Sequence, residues 1–155
     1  VVDAGHGGED GGAVAADGTV ESGLNLDIAL RAADLLTFTG VRTVLTRSDD
    51  SAIYDEGSAT LREKKVSDLK NRVALVNATE NAVLLSIHQN SLPSSPSTHG
   101  AQVFYNSADG AESMAGSVQA ALNQAVNTEK AKSPAAIGSS VYLMKNITAP
   151  GVLVE

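Results

Sequence analysis

One segment constrains the fold more than any other: AVLLSIH, residues 82–88, is an almost continuous apolar run that ends in a histidine. A strand with one face in water would alternate apolar and polar side chains. A continuous run instead predicts a strand buried on both faces, as in parallel sheets covered by helices. The run is far shorter than the roughly 20 apolar residues that a membrane span needs.

The rest of the chain alternates between predicted strands and helices. Apolar spacing predicts helices that begin at Ser22 and Ser67 as N-caps, and an Ala-rich helix over 109–126. The alternation predicts a single α/β domain: a mostly parallel twisted sheet of about six strands with helices on both faces. The other predicted strands lie at residues 1–4, 41–46, 101–106, 140–145 and 151–155, and residues 48–66 are expected to form a loop with a short helical piece.

Composition excludes several classes of function. The net charge of −7 argues against a nucleic-acid partner, which would need a basic surface. The absence of cysteine removes disulfides, thiolate metal ligands and cysteine nucleophiles together. At 155 residues and 43% hydrophobic, with 3% aromatics, the chain can bury one core built from Ala, Val, Leu and Ile. No membrane span is expected.

The glycine-rich stretch DAGHGGEDGG, residues 3–12, admits two interpretations. Glycine loops can cradle phosphate, but this one lacks the lysine of a P-loop and does not pass directly into a helix. It also places Glu9 and Asp10 where a phosphate would lie. The favoured interpretation is a tight turn whose glycines let His6 point into a cleft.

Four titratable side chains occupy positions where an α/β sheet places its functional site. His6, His88 and Glu155 each follow a predicted strand, and Glu21 stands directly before the first predicted helix. Ligands of open α/β sheets bind outside the carboxyl ends of the strands. We therefore expect these side chains to lie near one another.

Each of these residues also has a simpler interpretation. His6 could be a solvated turn residue, and His88 a hydrogen-bonded strand end. Glu21 could be a carboxylate favoured by a helix N-terminus, and Glu155 merely a terminal residue. His99, in a Ser/Pro-rich loop, is expected to be solvated and is not a candidate.

Taken together, the four residues indicate metal chemistry. Two neutral imidazoles and one carboxylate form a three-ligand shell for catalytic zinc that leaves a fourth position open for water. His6, Glu21 and His88 would supply this shell. Glu155 would then remain as a base that takes a proton from the water, and such a site hydrolyses amides or esters.

The chain resembles the zinc-dependent N-acetylmuramoyl-L-alanine amidases, called type 3 amidases, which cleave peptidoglycan. The matching segments are VVDAGHGGEDGGA (1–13), GTVESGLNLDIAL (18–30), VLTR (44–47), LKNRVALVN (69–77), LLSIHQNS (84–91), GAQVFY (100–105) and PGVLVE (150–155). Each segment alone is modest evidence, but the series in this order is specific to the family. GAQVFY and VYLMKN look most like the branch linked to spore cortex and germination.

The resemblance implies one amidase catalytic domain over residues 1–155, which we expect to be truncated at both ends. It implies one zinc ion held by His6, Glu21 and His88, with Glu155 as the catalytic glutamate. Asn90 matches a family position that could orient a ligand or the substrate. The implied reaction is hydrolysis of the amide between the lactyl group of N-acetylmuramic acid and the L-alanine of the stem peptide.

The resemblance also implies peptidoglycan as partner and an extracytoplasmic location, in the cell wall, periplasm or spore cortex. Relatives differ in whether they need an activator protein, so an activator stays open as a second partner. Two other functions stay open. One is a zinc-binding wall-recognition or regulatory module that has lost catalysis, and the other is a zinc carboxypeptidase.

Overall fold

The computed structural model describes residues 1–91, 95 and 97–155, so part of the predicted Ser/Pro-rich loop lies outside the described residues. The described ranges form strands and helices in alternation, as predicted. In chain order these are β1 (Val2–Ala4), α1 (Glu21–Phe38), α2 (Leu61–Ala78), β2 (Leu84–Ile87), β3 (Val103–Tyr105), α3 (Ala111–Ala125), β4 (Ala135–Ala136), α4 (Tyr142–Asn146) and β5 (Gly151–Val154).

The strands form one mixed sheet in the order β1-β2-β5-β3-β4. β1, β2 and β5 are neighbours and run parallel, with Val2 opposite Leu85 and Leu85 opposite Val152. β3 is antiparallel to β5 and parallel to β4. The predicted α/β class with a mostly parallel sheet is therefore confirmed, and the parallel trio brings three carboxyl ends to one edge.

Helices cover both faces of the sheet, as the apolar run at 82–88 predicts. On one face Leu84 and Leu153 pack in a cluster with residues of α2 and α4. On the other face Ile87 packs with Ala29 and Ala33 of α1, and Val152 packs with Ala115 of α3. The strands are thus enclosed from both sides, which keeps water away from the sheet that carries the site.

The strand count differs slightly from the prediction of about six, because the described residues contain five strands. Residues 41–46 form only an isolated bridge, between Leu45 and Val2. The Thr46 amide donates to the Val2 carbonyl at 3.1 Å, but its hydroxyl donates to the buried carboxylate of Asp3 at 2.8 Å. The Ala4 amide donates to this same hydroxyl at 3.3 Å, a side-chain atom, so the backbone pairing goes no further than the one bridge.

The strand predicted at 140–145 is also wrong, since these residues contribute most of helix α4. Leu143 and Met144 are consecutive and both buried, against α2 and the sheet. A strand would point two neighbouring side chains to opposite faces, whereas a helical turn can bury both on the same side. The fifth strand is instead β4, which the sequence did not predict.

Two helix starts differ from those predicted. α1 begins at Glu21 with Val20 as N-cap, so Ser22 lies buried inside the first turn. The N-cap of α2 lies about two turns before the predicted cap, at Thr60, which forms a reciprocal capping box with Glu63. Ser67 lies within α2 and contacts the preceding loop.

No helix in the described ranges is both long and apolar enough to cross a membrane.

A buried charge network joins β1 to α2 beneath the site. Asp3 is 1% exposed and accepts hydrogen bonds from Arg72 Nη1 at 2.6 Å, Ser86 Oγ at 2.6 Å and Thr46 Oγ1 at 2.8 Å. Arg72 also donates through Nε to Asp68 at 2.6 Å. Every polar atom of this network that lies buried has a partner within the described residues, which is what allows the charges to remain inside.

Two buried arginines hold the backbone just beyond β1. Arg72 donates to the carbonyl oxygens of Ala4 at 2.7 Å and His6 at 2.8 Å. Arg47 donates to the carbonyls of Ala4 at 3.0 Å and Gly5 at 3.1 Å. These bonds give the carbonyls just beyond the strand buried partners, and they fix the direction of the following loop.

The network makes a prediction about stability. Arg72→Met should lower the free energy of unfolding by about 3–5 kcal/mol at pH 7, because it leaves buried carboxylates without their cation. Arg62→Met, at an exposed arginine of the same helix, should change it by less than about 0.5 kcal/mol. Urea unfolding measures both, and equal effects of the two substitutions would contradict the network's role.

The stability that the Arg72–Asp3 ion pair provides should depend on pH. Burial raises the pKa of Asp3, but the combined effect of Arg72, the Ser86 hydroxyl and His88 is larger and opposite. The pKa of Asp3 is therefore lowered overall. Because the pKa of Asp3 is lower in the folded protein than in the unfolded one, its ionisation stabilises the fold. This stabilisation is fully present above the unfolded-state pKa, about 3.9, and is lost as pH falls through the folded-state pKa. The difference between wild type and Arg72→Met should therefore shrink when unfolding is measured near pH 3.

Candidate active site

The sheet order explains why the predicted site residues meet. His6 follows β1 by two residues, and His88 and Glu155 directly follow β2 and β5. Because these three strands are adjacent and parallel, their carboxyl ends lie at the same edge. Glu21 reaches this edge from the start of α1, which packs against β1 and β2.

His6, Glu21 and His88 converge on one point. Glu21 Oε1 lies 3.4 Å from His6 Nε2 and 3.2 Å from His88 Nδ1. The three potential ligand atoms lie within 4.8 Å of one another, and the two imidazole rings stand edge to face with centroids 5.0 Å apart. Ligands of a tetrahedral zinc ion lie about 3.3 Å apart, so the donor types fit such an ion, and so do the two distances to Glu21.

Glycines in the N-terminal loop make this convergence sterically feasible. A Cβ atom at Gly5 would collide with the His88 ring, and one at Gly12 would collide with the Glu21 carboxylate and the His6 ring. Gly12 also has φ of +71°, in the left-handed region that side chains disfavour. The glycines thus allow close approach of backbone to the site.

The loop has little capacity left for phosphate. Its backbone amides already donate within the protein: Gly7 to the Asp10 carbonyl, Gly8 to the Asp50 carboxylate and Ala13 to Glu21 Oε2 at 2.8 Å. A phosphate cradle requires such amides to be free. The interpretation of this stretch as a turn around a histidine agrees with these contacts.

Glu21 is held as an anion. It is 6% exposed, and it accepts hydrogen bonds from the Ala13 and Gln89 amides and from Asn25 Nδ2 at 3.2 Å. Burial by itself would raise the pKa of Glu21, but the bonds from His88, Ala13, Gln89 and Asn25 lower the pKa to about 2. A carboxylate charged at all physiological pH values suits a metal ligand.

Asn25 is a site residue that sequence reasoning missed. It is fully buried, and its amide donates both to Glu21 and to the Gly5 carbonyl at 3.1 Å. It lies one helical turn after Glu21, so both project from the same face of α1. A buried polar residue at this spacing was the available signal.

Glu155 has a different environment. Its backbone pairs with Gln102 in both directions, at 2.9 and 2.7 Å, and Asn90 Nδ2 donates to its Oε2 at 3.1 Å. Burial and then the nearby charge of Glu21 raise the pKa of Glu155 above its ordinary value, outweighing the opposite effects of His88 and Asn90. Such a carboxylate is poised to take up a proton. Asn90, predicted to orient a ligand or substrate, contacts this carboxylate.

A cleft of about 260 Å³ opens over these residues. His6, His88 and Glu155 line the bottom of the cleft. Its walls come from the loop before α2, from α2 and from the α4 region. Charged side chains of the glycine loop and of α2 also line the cleft, but most of its exposed lining surface is apolar. The apolar lining residues include Tyr54, Leu61, Leu69, Val141, Tyr142, Leu143 and Leu153. The arrangement can bind a metal, offer a base beside it and cover an apolar substrate segment.

The chain is similar to known proteins over its whole length. The family described as Amidase_3, N-acetylmuramoyl-L-alanine amidase, matches residues 1–155. The germination-specific N-acetylmuramoyl-L-alanine amidase of Bacillus subtilis (strain 168) is 34% identical over 154 residues, 99% of this chain and 64% of that protein. LytC, an N-acetylmuramoyl-L-alanine amidase of the same organism, is 31% identical over 157 residues, which cover 99% of this chain and 28% of LytC.

A solved structure agrees in fold as well. The CwlD amidase from Clostridioides difficile, determined in complex with the GerS lipoprotein, superposes with a TM-score of 0.92 at 34% identity. The match covers 99% of this chain and 79% of that one. On the strength of the full-length family match, the chain belongs to the N-acetylmuramoyl-L-alanine amidase family.

Proposed function

We propose that this protein is a zinc-dependent N-acetylmuramoyl-L-alanine amidase that cleaves peptidoglycan between N-acetylmuramic acid and the L-alanine of the stem peptide. The observation that carries the proposal is the convergence of His6, Glu21 and His88 beside Glu155, in a chain of this family. The chain spans 64% of the length of the germination-specific Bacillus subtilis amidase. The activity of the whole protein is therefore a proposal made from this domain.

In this proposal His6, Glu21 and His88 bind the metal. Zinc, when bound there, supplies a Lewis acid for the scissile carbonyl and lowers the pKa of water to about 7. The anionic state of Glu21 supports cation binding, and the amides of Ala13 and Gln89 hold its two oxygens in place. The protein's own hydrogen bonds therefore orient the Glu21 carboxylate for this role.

Glu155 acts as the general base and acid in the proposed reaction. It takes the proton of the attacking water and returns it to the leaving amine of L-alanine. The raised pKa of Glu155 suits this role, because a base works best when its pKa approaches the working pH. Asn90 restrains the carboxylate through Oε2.

The apolar walls of the cleft support an amide substrate flanked by small apolar groups. The lactyl methyl of muramic acid and the methyl of L-alanine lie on either side of the scissile bond. Burial of each methyl contributes about 0.8 kcal/mol, and exclusion of water strengthens the electrostatic effects of the floor residues. Tyr142 and Leu61 border this space.

We also infer an extracytoplasmic site of action, since peptidoglycan lies outside the cytoplasmic membrane. The CwlD relative was determined with the GerS lipoprotein, and a lipoprotein of that kind is the activator we propose for this chain. The germination-specific relative favours spore peptidoglycan as the substrate.

Digestion of purified peptidoglycan tests the activity. We expect free stem peptides that begin with L-alanine, and we expect their release to stop with a chelator and to resume when zinc is restored. Mass spectrometry of the products provides the measurement. Undigested peptidoglycan at saturating zinc would favour a wall-binding module, and release of a terminal amino acid alone would favour a carboxypeptidase.

Glu155→Gln tests the base. It should lower the rate of cleavage by about 10²–10⁴-fold while leaving zinc affinity within about threefold, because the ligands are intact. Glu129→Gln, at a carboxylate whose side chain is 85% exposed, is the matched control and should leave both unchanged. Full activity of Glu155→Gln would show that another group takes the proton.

Substitution of the ligands tests the metal site. Glu21→Ala and His88→Ala should each abolish both zinc binding and cleavage. His99→Ala, at a histidine whose side chain is 75% exposed, should change neither. Zinc at 100 times its dissociation constant should stabilise wild type by about 2.7 kcal/mol but not the ligand variants, as thermal unfolding would measure. Zinc stabilisation of His88→Ala equal to wild type would remove His88 from the site.

A further inference from the structure

We propose that Asp10 is a positioning residue that fixes the tautomer and orientation of His6, and that Lys65 anchors Asp10 for this task. The inference rests on the proposed metal site and adds to it a carboxylate that does not itself bind the ion. It gives the charged part of the glycine loop a role that the ligand set leaves unexplained.

The contact is direct. Asp10 Oδ2 lies 3.0 Å from His6 Nδ1, on the side of the ring away from Glu21. An ionised carboxylate can only accept a hydrogen bond, so Nδ1 must carry the proton. In a neutral imidazole the other nitrogen then holds the free lone pair. That nitrogen, Nε2, is the one that faces Glu21 Oε1 at 3.4 Å.

Asp10 is itself held from two directions. Lys65 Nζ lies 2.9 Å from Asp10 Oδ1, the oxygen that does not contact His6. The Asp10 backbone pairs with Gly7, with its amide at 3.1 Å and its carbonyl at 2.8 Å. Lys65 thus places a positive charge against this carboxylate. The carboxylate is therefore a fixed point for the ring.

His6 needs such a fixed point because its backbone offers little restraint on the ring. His6 lies in a loop with φ of +62°, a conformation rare for residues other than glycine. Arg72 fixes its carbonyl at 2.8 Å, but this bond does not determine how the imidazole turns about its side-chain torsions. The bond to Asp10 does determine it.

A neighbouring ion pair separates this role from simple anchoring of the loop. Lys64 Nζ lies 2.5 Å from Glu9 Oε1. This pair joins the same loop to the same helix, one residue earlier at each end. Glu9 makes no contact with His6 among the described hydrogen bonds and ion pairs. The chain thus contains a natural control for the Asp10–Lys65 pair.

Two double variants exploit this control. Asp10→Asn/Lys65→Met and Glu9→Gln/Lys64→Met each remove one anion and one cation from the loop–helix junction, so net charge is equal. Zinc affinity is measured by competition with a chromophoric chelator. The first variant should bind zinc about 10–100-fold more weakly than wild type, and the second should lie within about twofold of wild type.

A second readout tests the tautomer. In long-range ¹H–¹⁵N spectra of the metal-free protein near pH 8, wild type and the Glu9/Lys64 variant should show His6 protonated at Nδ1. Asp10→Ala should show mixed tautomers. Asp10→Asn should retain the wild-type tautomer in part, because its amide oxygen still accepts the bond. Loss of structure alone would not produce this graded response.

The outcomes separate this inference from the proposed function. If wild type binds zinc and the two double variants bind it equally, or if Asp10→Ala keeps a single Nδ1–H tautomer, the positioning role is wrong and the amidase proposal stands. If wild type binds no zinc, the proposed function fails and this inference fails with it. Circular dichroism checks folding, and Asp10→Ala compared with Glu9→Ala replaces the double variants if the first of them unfolds.

Discussion

The buried ion pair between Arg72 and Asp3 is the interaction on which the rest of the site depends. It joins the first strand to the second helix, and the same guanidinium then holds the carbonyls of Ala4 and His6. Buried ion pairs contribute little net stability, since desolvation offsets their attraction. Their effect here is geometric. The pair determines where the chain goes after β1, and therefore where the His6 backbone lies.

The site contains two glutamates whose pKa values are shifted in opposite directions by their environments. Glu21 is surrounded by hydrogen-bond donors, which lower its pKa to about 2 in spite of burial. Glu155 is half-buried beside that negative charge, and both conditions raise its pKa. Paired carboxylates with separated pKa values typically divide their roles between a permanent anion and a group that exchanges protons. The division between metal ligand and base in the proposed function follows the same physics.

Sequence patterns predicted the elements that their own residues determine. The apolar run at 82–88 predicted a strand covered on both faces, and alternation along the chain predicted the α/β class. The patterns failed where distant contacts decided the outcome. Residues 41–46 have the β-branched composition of a strand, but they form one bridge only, and the Ala4 amide bonds to the Thr46 side chain rather than to backbone. The spacing of Asp68 and Arg72 is typical of an exposed helical pair, yet Asp3 draws Arg72 into the interior.

The sequence by itself determined which chemical groups this protein carries and that three of them follow strands. His6, His88 and Glu155 were found in this way, and Glu21 was found by its place before a helix. Only the tertiary structure decided that β1, β2 and β5 are neighbours, because strand order depends on long-range pairing that no local pattern encodes. It alone also brought Asn25 and Asp10 against the candidate ligands, since hydrogen bonds between loops and helices form only once the sheet has set their distances.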